Sequence, residues 1–187
     1  MGNIIDKTKS KMAEFFFKKA LKENPIWFNE QFVLANCKNI AFVYDEKNSD
    51  FNQLLNRFQK YFKERSKIVA IYKLSVDTVN QNGINDGVSI VDFSTEEVNF
   101  YGKPKSPEVL NFLNREFDLL INLSSLDNWP MRFAIAMSNA KFKIAITKSD
   151  YINYDLVIPF GDEPQRVNNF DFLYEILVKI NGNVTNS

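Results

Sequence analysis

The sequence predicts an α/β fold, a three-layer sandwich built on a mostly parallel, Rossmann-like sheet and preceded by an N-terminal helix. Short apolar runs of strand length alternate with segments of helical periodicity. The stretch from Phe117 to Ile146 reads as strand, turn, helix and strand, the crossover unit of a parallel sheet. The chain has 187 residues, 45% of them apolar and 25% charged, which suits one domain with a substantial core.

Ile5 to Lys22 reads as a basic amphipathic helix. Ile5, Met12, Phe16 and Ala20 share one side, with Ala13, Phe17 and Leu21 beside them, and Lys18 and Lys22 lie opposite. Asn24-Pro25 stops it. The N-terminal unit of helix and connector runs over 1–38, the α/β domain over 39–182 and a tail over 183–187. Trp27 and Phe28 are expected to pin the connector to the core.

Ile40 to Tyr44 (IAFVY) is the first sheet strand. Asp50 with Gln53 resembles a capping pair, and Phe51, Leu54, Leu55, Phe58 and Phe62 follow helical spacing. Lys67 to Leu74 is the second strand. Ser75 to Ser89 is polar, with turns at Asn82-Gly83 and Asp86-Gly87. Val88 to Phe93 is a short strand, and Val98 to Tyr101 another extended piece. Ser106-Pro107-Glu108 starts a helix with cap, proline and acid in sequence.

In the central unit, Leu119, Leu120, Ile121 and Leu123 form the apolar run of a strand buried on both faces. Ser124, Ser125, Asp127 and Asn128 can open the next helix, with Pro130 tolerated in its first turn. Met131 to Met137 is apolar on nearly every side, so this helix needs cover beyond one sheet face. Phe142, Ile144, Ala145 and Ile146 form the next strand and Leu156 to Ile158 the last. Phe170, Leu173, Ile176, Leu177 and Ile180 mark a closing helix.

Absences exclude several chemistries. Without histidine the chain supplies no Ser-His-Asp or Cys-His pair and no imidazole metal ligand. Cys37 is the only cysteine, so there is no intrachain disulfide and no cysteine cluster for zinc or iron-sulfur. Lysine plus arginine equals aspartate plus glutamate at 23 each, which gives no general field for nucleic acid. The turn Asp45 to Asp50 contains no glycine, whereas backbone cradles for dinucleotides and triphosphates need several. No cofactor is expected, and no metal. No stretch reaches the ~18 to 20 apolar residues of a membrane span. A cytoplasmic protein is expected, with peripheral membrane contact as a second possibility.

The pattern FDLLINLS, NAKFKIAI and NYDLVIP with a closing helix resembles a family of uncharacterised proteins common in Bacteroidota. The basic N-terminal helix and Tyr101-Gly102-Lys103-Pro104 share in that resemblance, which spans most of Lys7 to Ile180. It implies kinship and fold and carries no catalytic residue. A second, local resemblance over Phe117 to Ile146 is to the N-terminal half of heptosyltransferase-type glycosyltransferases. It implies at most a degenerate transferase-like domain, because the chain leaves no room for a second, nucleotide-sugar-binding domain.

In a parallel α/β sheet, ligands bind outside the carboxyl ends of the strands. Asp45, Asp92, Ser124, Ser125, Asp127, Lys148 and Asp150 fall there, with Arg132 in the first turns of the central helix. Ser124, Ser125, Asp127, Arg132 and Lys148 form the candidate ligand site, suited to a small anion. The competing structural roles are a cap for Asp127, turn contacts for the serines and a surface ion pair for Arg132. Asp45 with Asp92 is a weaker candidate for an acid/base or magnesium pair, and Glu96-Glu97 reads as a solvated pair.

Two functions follow as expectations. The first is a non-catalytic module that binds a protein partner, a second copy or the inner membrane surface. It would use the face of Ile5 to Lys22 and the apolar central helix. The alternative is a small-anion-binding protein or degenerate transferase using the Ser124 to Arg132 edge. An open polar pocket at that edge favours the alternative; a filled edge with an exposed apolar helix favours the first.

Overall fold

A computed structural model describes residues 2–23, 37–45, 68–74, 83–85, 88–124, 128–158, 173 and 175–176. The described strands form one sheet of seven: β1 (Asn39–Asp45), β2 (Ile68–Leu74), β3 (Gly83–Asn85), β4 (Val88–Phe93), β5 (Leu119–Asn122), β6 (Lys143–Ala145) and β7 (Leu156–Val157). Their spatial order is β3-β4-β2-β1-β5-β6-β7. Every neighbouring pair is parallel except β3 with β4. The chain lays β2 and β4 outward from one side of β1. It then returns to place β5 on the other side and continues outward through β6 and β7. The expected α/β architecture with a mostly parallel sheet is therefore observed.

On one side of β4 the sheet differs from expectation. The polar stretch before Val88 contains a strand: Gly83, Ile84 and Asn85 pair antiparallel with Ile90, Ser89 and Val88.

Ala41, Val43 and Leu120 join one buried cluster with the helices α1 (Gly2–Glu23), α2 (Pro107–Leu113) and α3 (Trp129–Met137). Ile40, Phe42, Leu119 and Ile121 alternate with them and are equally buried, so both faces of the central strands are covered. The cover that α3 required comes from α1. Ala13, Phe17 and Ala20 are buried, and the Phe17 ring meets Phe133 at 5.5 Å and Trp129 at 5.9 Å. Full burial of side chains such as Phe17 and Phe133 contributes about 1.5–3 kcal/mol each. The residues Ala13, Phe17 and Ala20 of α1 thus pack on α3.

Local chemistry sets the helix ends. Asn128, not Asp127, is the N-cap of α3, its Oδ1 accepting from the Met131 amide at 3.0 Å. Ser106 occupies the cap position of α2, but its hydroxyl makes no cap hydrogen bond. Ser94 caps a 3-10 turn (Thr95–Glu97), and Glu97 Oε2 accepts from the Ser94 amide at 2.8 Å, so Glu97 is a capping residue rather than half of a solvated pair. Val98 does not start a strand; it forms an isolated bridge to Pro104 around a tight turn. Asn99 Oδ1 accepts from the Tyr101 and Lys103 amides inside that turn. Gly102 has φ +95°, and a Cβ there would sit 2.8 Å from Trp129 Cβ. Glycine therefore lets the turn seat against the start of α3.

The predicted helix over 51–62, the connector with Trp27 and Phe28, and most of the closing helix lie outside the described residues. Leu173, Glu175 and Ile176 are helical, and Leu173 is buried.

Candidate functional site

β5 ends at Asn122, whose side chain turns back on the backbone instead of facing solvent. Its Oδ1 accepts from the Ser124 amide at 3.1 Å, and its Nδ2 donates to the Tyr154 hydroxyl at 3.0 Å. Asn122 and Ser124 are both buried. The Ile146 amide donates to Asn122 O at 3.1 Å, which fixes the end of β6 beside the end of β5. Thr147, Lys148 and Ser149 then leave the sheet together.

Between these segments and α3 is a small open cleft. Met131, Ile135 and Ile152 give it an apolar, buried lining, while Asn122, Ser124, Arg132, Thr147, Lys148, Ser149 and Tyr154 supply the polar part. Among the described residues, two cations and no carboxylate line the cleft. In the parallel sheet this position lies outside the carboxyl ends of β5 and β6, where α/β proteins place ligands.

Arg132 is half-buried and lies against two aromatic rings. Its guanidinium carbon lies 4.6 Å from the Trp129 ring centroid and 3.8 Å from that of Tyr151. Those rings meet at 5.6 Å and 63°, so the guanidinium carbon sits in the angle between two aromatic rings, within cation–π distance of both. Lys148 is exposed, and the Tyr151 amide donates to Ser149 Oγ at 3.2 Å.

Of the expected site residues, Ser124, Arg132 and Lys148 line the same cleft. Ser125 and Asp127 lie outside the described residues, as do the side chains of Asp45 and Asp92. Sequence reasoning missed Asn122, Thr147, Ser149 and Tyr154. The signal for Asn122 was an amide closing an otherwise apolar strand. For Thr147 and Ser149 it was a run of small polar residues immediately after β6. Tyr154 carried none, since its partner is 32 residues away. Among the described residues no cluster of three or more His, Cys, Asp or Glu is arranged to hold a metal. No described helix is long and apolar enough to cross a membrane.

The opposite end of the same strands is also polar but differently organised. The Asp118 carboxylate accepts from the Lys38 and Asn39 amides at 2.8 and 3.1 Å and from Lys141 Nζ at 2.8 Å. Burial pushes its pKa up, but Lys141 and the two amides outweigh that and hold it below the usual range. Lys143 is buried, its ammonium donating to Ile135 O at 2.9 Å near the carboxyl end of α3. Burial lowers its pKa to about 8, opposed by Asp155. The Asp155 carboxylate accepts from the Lys143 amide at 2.6 Å, and burial raises its pKa against the pull of that amide and the Lys143 charge. Cys37 is buried, as expected of a structural thiol.

Compared with known proteins, the chain matches one family model over residues 9–173, described as a family of unknown function, DUF6913. No curated protein and no solved structure matches it.

Proposed function

The chain belongs to DUF6913, and we propose that this member is a non-catalytic, Rossmann-like module that binds a small oxyanion, a phosphate or carboxylate, in the cleft at the carboxyl ends of β5 and β6. One observation carries the reading: among the described residues, Arg132 and Lys148 converge with Ser124, Thr147 and Ser149 on an open cleft that no carboxylate lines. A cleft with one sign of charge over an apolar floor concentrates counter-ions. Hydroxyls and a stacked guanidinium give oxyanion geometry, with charge-assisted hydrogen bonds stronger than neutral ones. The burial of α3 beneath α1 supports this reading over association through an exposed apolar helix.

A melting series tests it. Phosphate is titrated against chloride at matched ionic strength, on the parent, Lys148→Ala and Arg132→Ala. A ligand that binds only the native state raises Tm by mass action. The parent should be stabilised by phosphate beyond chloride, and both variants should lose most of that difference. Lys148→Ala should cost less than about 0.5 kcal/mol without ligand, as for an exposed residue. Arg132→Ala should cost about 1 kcal/mol, because the guanidinium stacks on two rings. Coincident phosphate and chloride curves for the parent would retire the proposal.

A further inference from the structure

The packing of α1 leaves a second feature on its outer side. Ala13, Phe17 and Ala20 face the core, yet Phe15 is 67% exposed. On a helix the surface neighbours of a residue stand three, four and seven positions away. For Phe15 these include Lys11, Lys18, Lys19 and Lys22. A large apolar ring thus stands inside a frame of four lysines on the face opposite the buried stripe. Glu14 and Glu23 pair with Lys18 and Lys19, but α1 carries six lysines against three acids in a chain of zero net charge.

The patch extends beyond the helix. Phe15 meets Phe16 edge to face at 5.4 Å, Phe16 stacks on Tyr101 at 4.7 Å, and Tyr101 meets Phe100 at 5.2 Å. Phe100 is itself 60% exposed and lies close in sequence to Lys103 and Lys105. Two exposed phenylalanines from distant parts of the chain are therefore joined by a ladder of rings and bordered by cations.

We infer that this face docks on an anionic lipid bilayer, with Phe15 and Phe100 entering the interface and the lysines of α1 meeting the headgroups. Lys11 and Lys22 are about 16 Å apart along the helix, so the charge is spread over a convex ridge that a flat surface can meet. Aromatic residues flanked by lysines suit the boundary between headgroups and acyl chains. A second copy of the chain is disfavoured, since a two-fold contact through this patch would set lysine against lysine. A single-stranded nucleic acid is disfavoured because such ligands use a basic groove with successive stacking platforms, not a ridge. The inference is independent of the cleft.

The test is co-sedimentation of the full chain with vesicles of phosphatidylcholine containing phosphatidylglycerol, against phosphatidylcholine alone, at low and high salt. The parent should partition at least about tenfold more strongly onto the anionic vesicles, and high salt should weaken this. Each lysine neutralised should weaken partition about fivefold, so Lys11→Gln with Lys22→Gln should lose about 25-fold. Phe15→Ala should lose about tenfold with an unchanged melting curve. Arg132→Ala should partition as the parent does. No sedimentation, equal sedimentation with both vesicle types, or indifference to these substitutions overturns the inference. So does Phe15-dependent dimerisation or binding of a single-stranded oligonucleotide in the absence of vesicle binding.

Discussion

The two ends of β5 and β6 use similar residue types for opposite purposes. At the amino end, the buried and half-buried charges are tied to specific partners: Asp118 to two amides and Lys141, Lys143 to Ile135 O, Asp155 to the Lys143 amide. The Ser138 hydroxyl, a buried side-chain polar atom without a partner there, is uncharged. At the carboxyl end, Arg132 and Lys148 share a cleft with hydroxyls and an apolar floor, and among the described residues no carboxylate lines it. The first arrangement fixes the sheet. The second has the composition of a binding site. A polar cluster in an α/β fold is therefore read by its surroundings: at one end the charges are tied to named backbone and side-chain partners, at the other two cations converge on an open cleft.

Substitutions sharpen the contrast. The largest effect belongs to Lys143, whose pKa falls from 10.5 to about 8 on folding. Below the folded value the charged ammonium is held in the interior at a cost. Between about 8 and 10.5 the unfolded chain holds a proton that the native chain has released, so stability rises with pH. Chemical denaturation of parent and Lys143→Met across that window should show the parent gaining about 3 kcal/mol relative to the variant. Parallel pH profiles would mean that Lys143 reaches water.

Asp118→Ala comes next. It strips the acceptor from two amides and Lys141, for an expected loss of about 2 kcal/mol at neutral pH. Because the folded pKa of Asp118 is depressed, its contribution is present above the unfolded value of 3.8 and fades as pH falls through the folded one. The parent and variant should therefore converge in acid. Neither change should alter the phosphate response of the opposite edge, whereas Lys148→Ala should alter that response with almost no effect on stability.

Much of this was legible in the sequence. The apolar runs of β1 and β5 and the all-round apolarity of α3 specify a covered parallel sheet, because a strand or helix without a polar face has to be buried. The rule that places ligands at strand carboxyl ends singled out Ser124, Arg132 and Lys148, and these three line one cleft. What escaped depends on non-local partners. Lys143, within the run Phe142 to Ile146, reads as a solvent-facing residue until α3 sets Ile135 O against it. Arg132 reads as a surface cation until Tyr151, nineteen positions on, stacks over it. β3 escaped because three residues containing a glycine carry no period. The hidden role of Glu97 was different: Ser94-x-x-Glu97 has the spacing of a capping box, a signal present but read as solvated charge.

The most direct test of the difference between the two edges is a residue-resolved one. Amide chemical shifts recorded by heteronuclear NMR through a phosphate titration, at constant ionic strength in chloride, report both ends of the strands in one sample. The account predicts saturable shifts at Asn122, Ser124, Thr147, Lys148 and Ser149, with Asn39, Asp118, Lys141 and Asp155 unmoved. Shifts spread equally over both edges, or none that saturate at the carboxyl end, would contradict it.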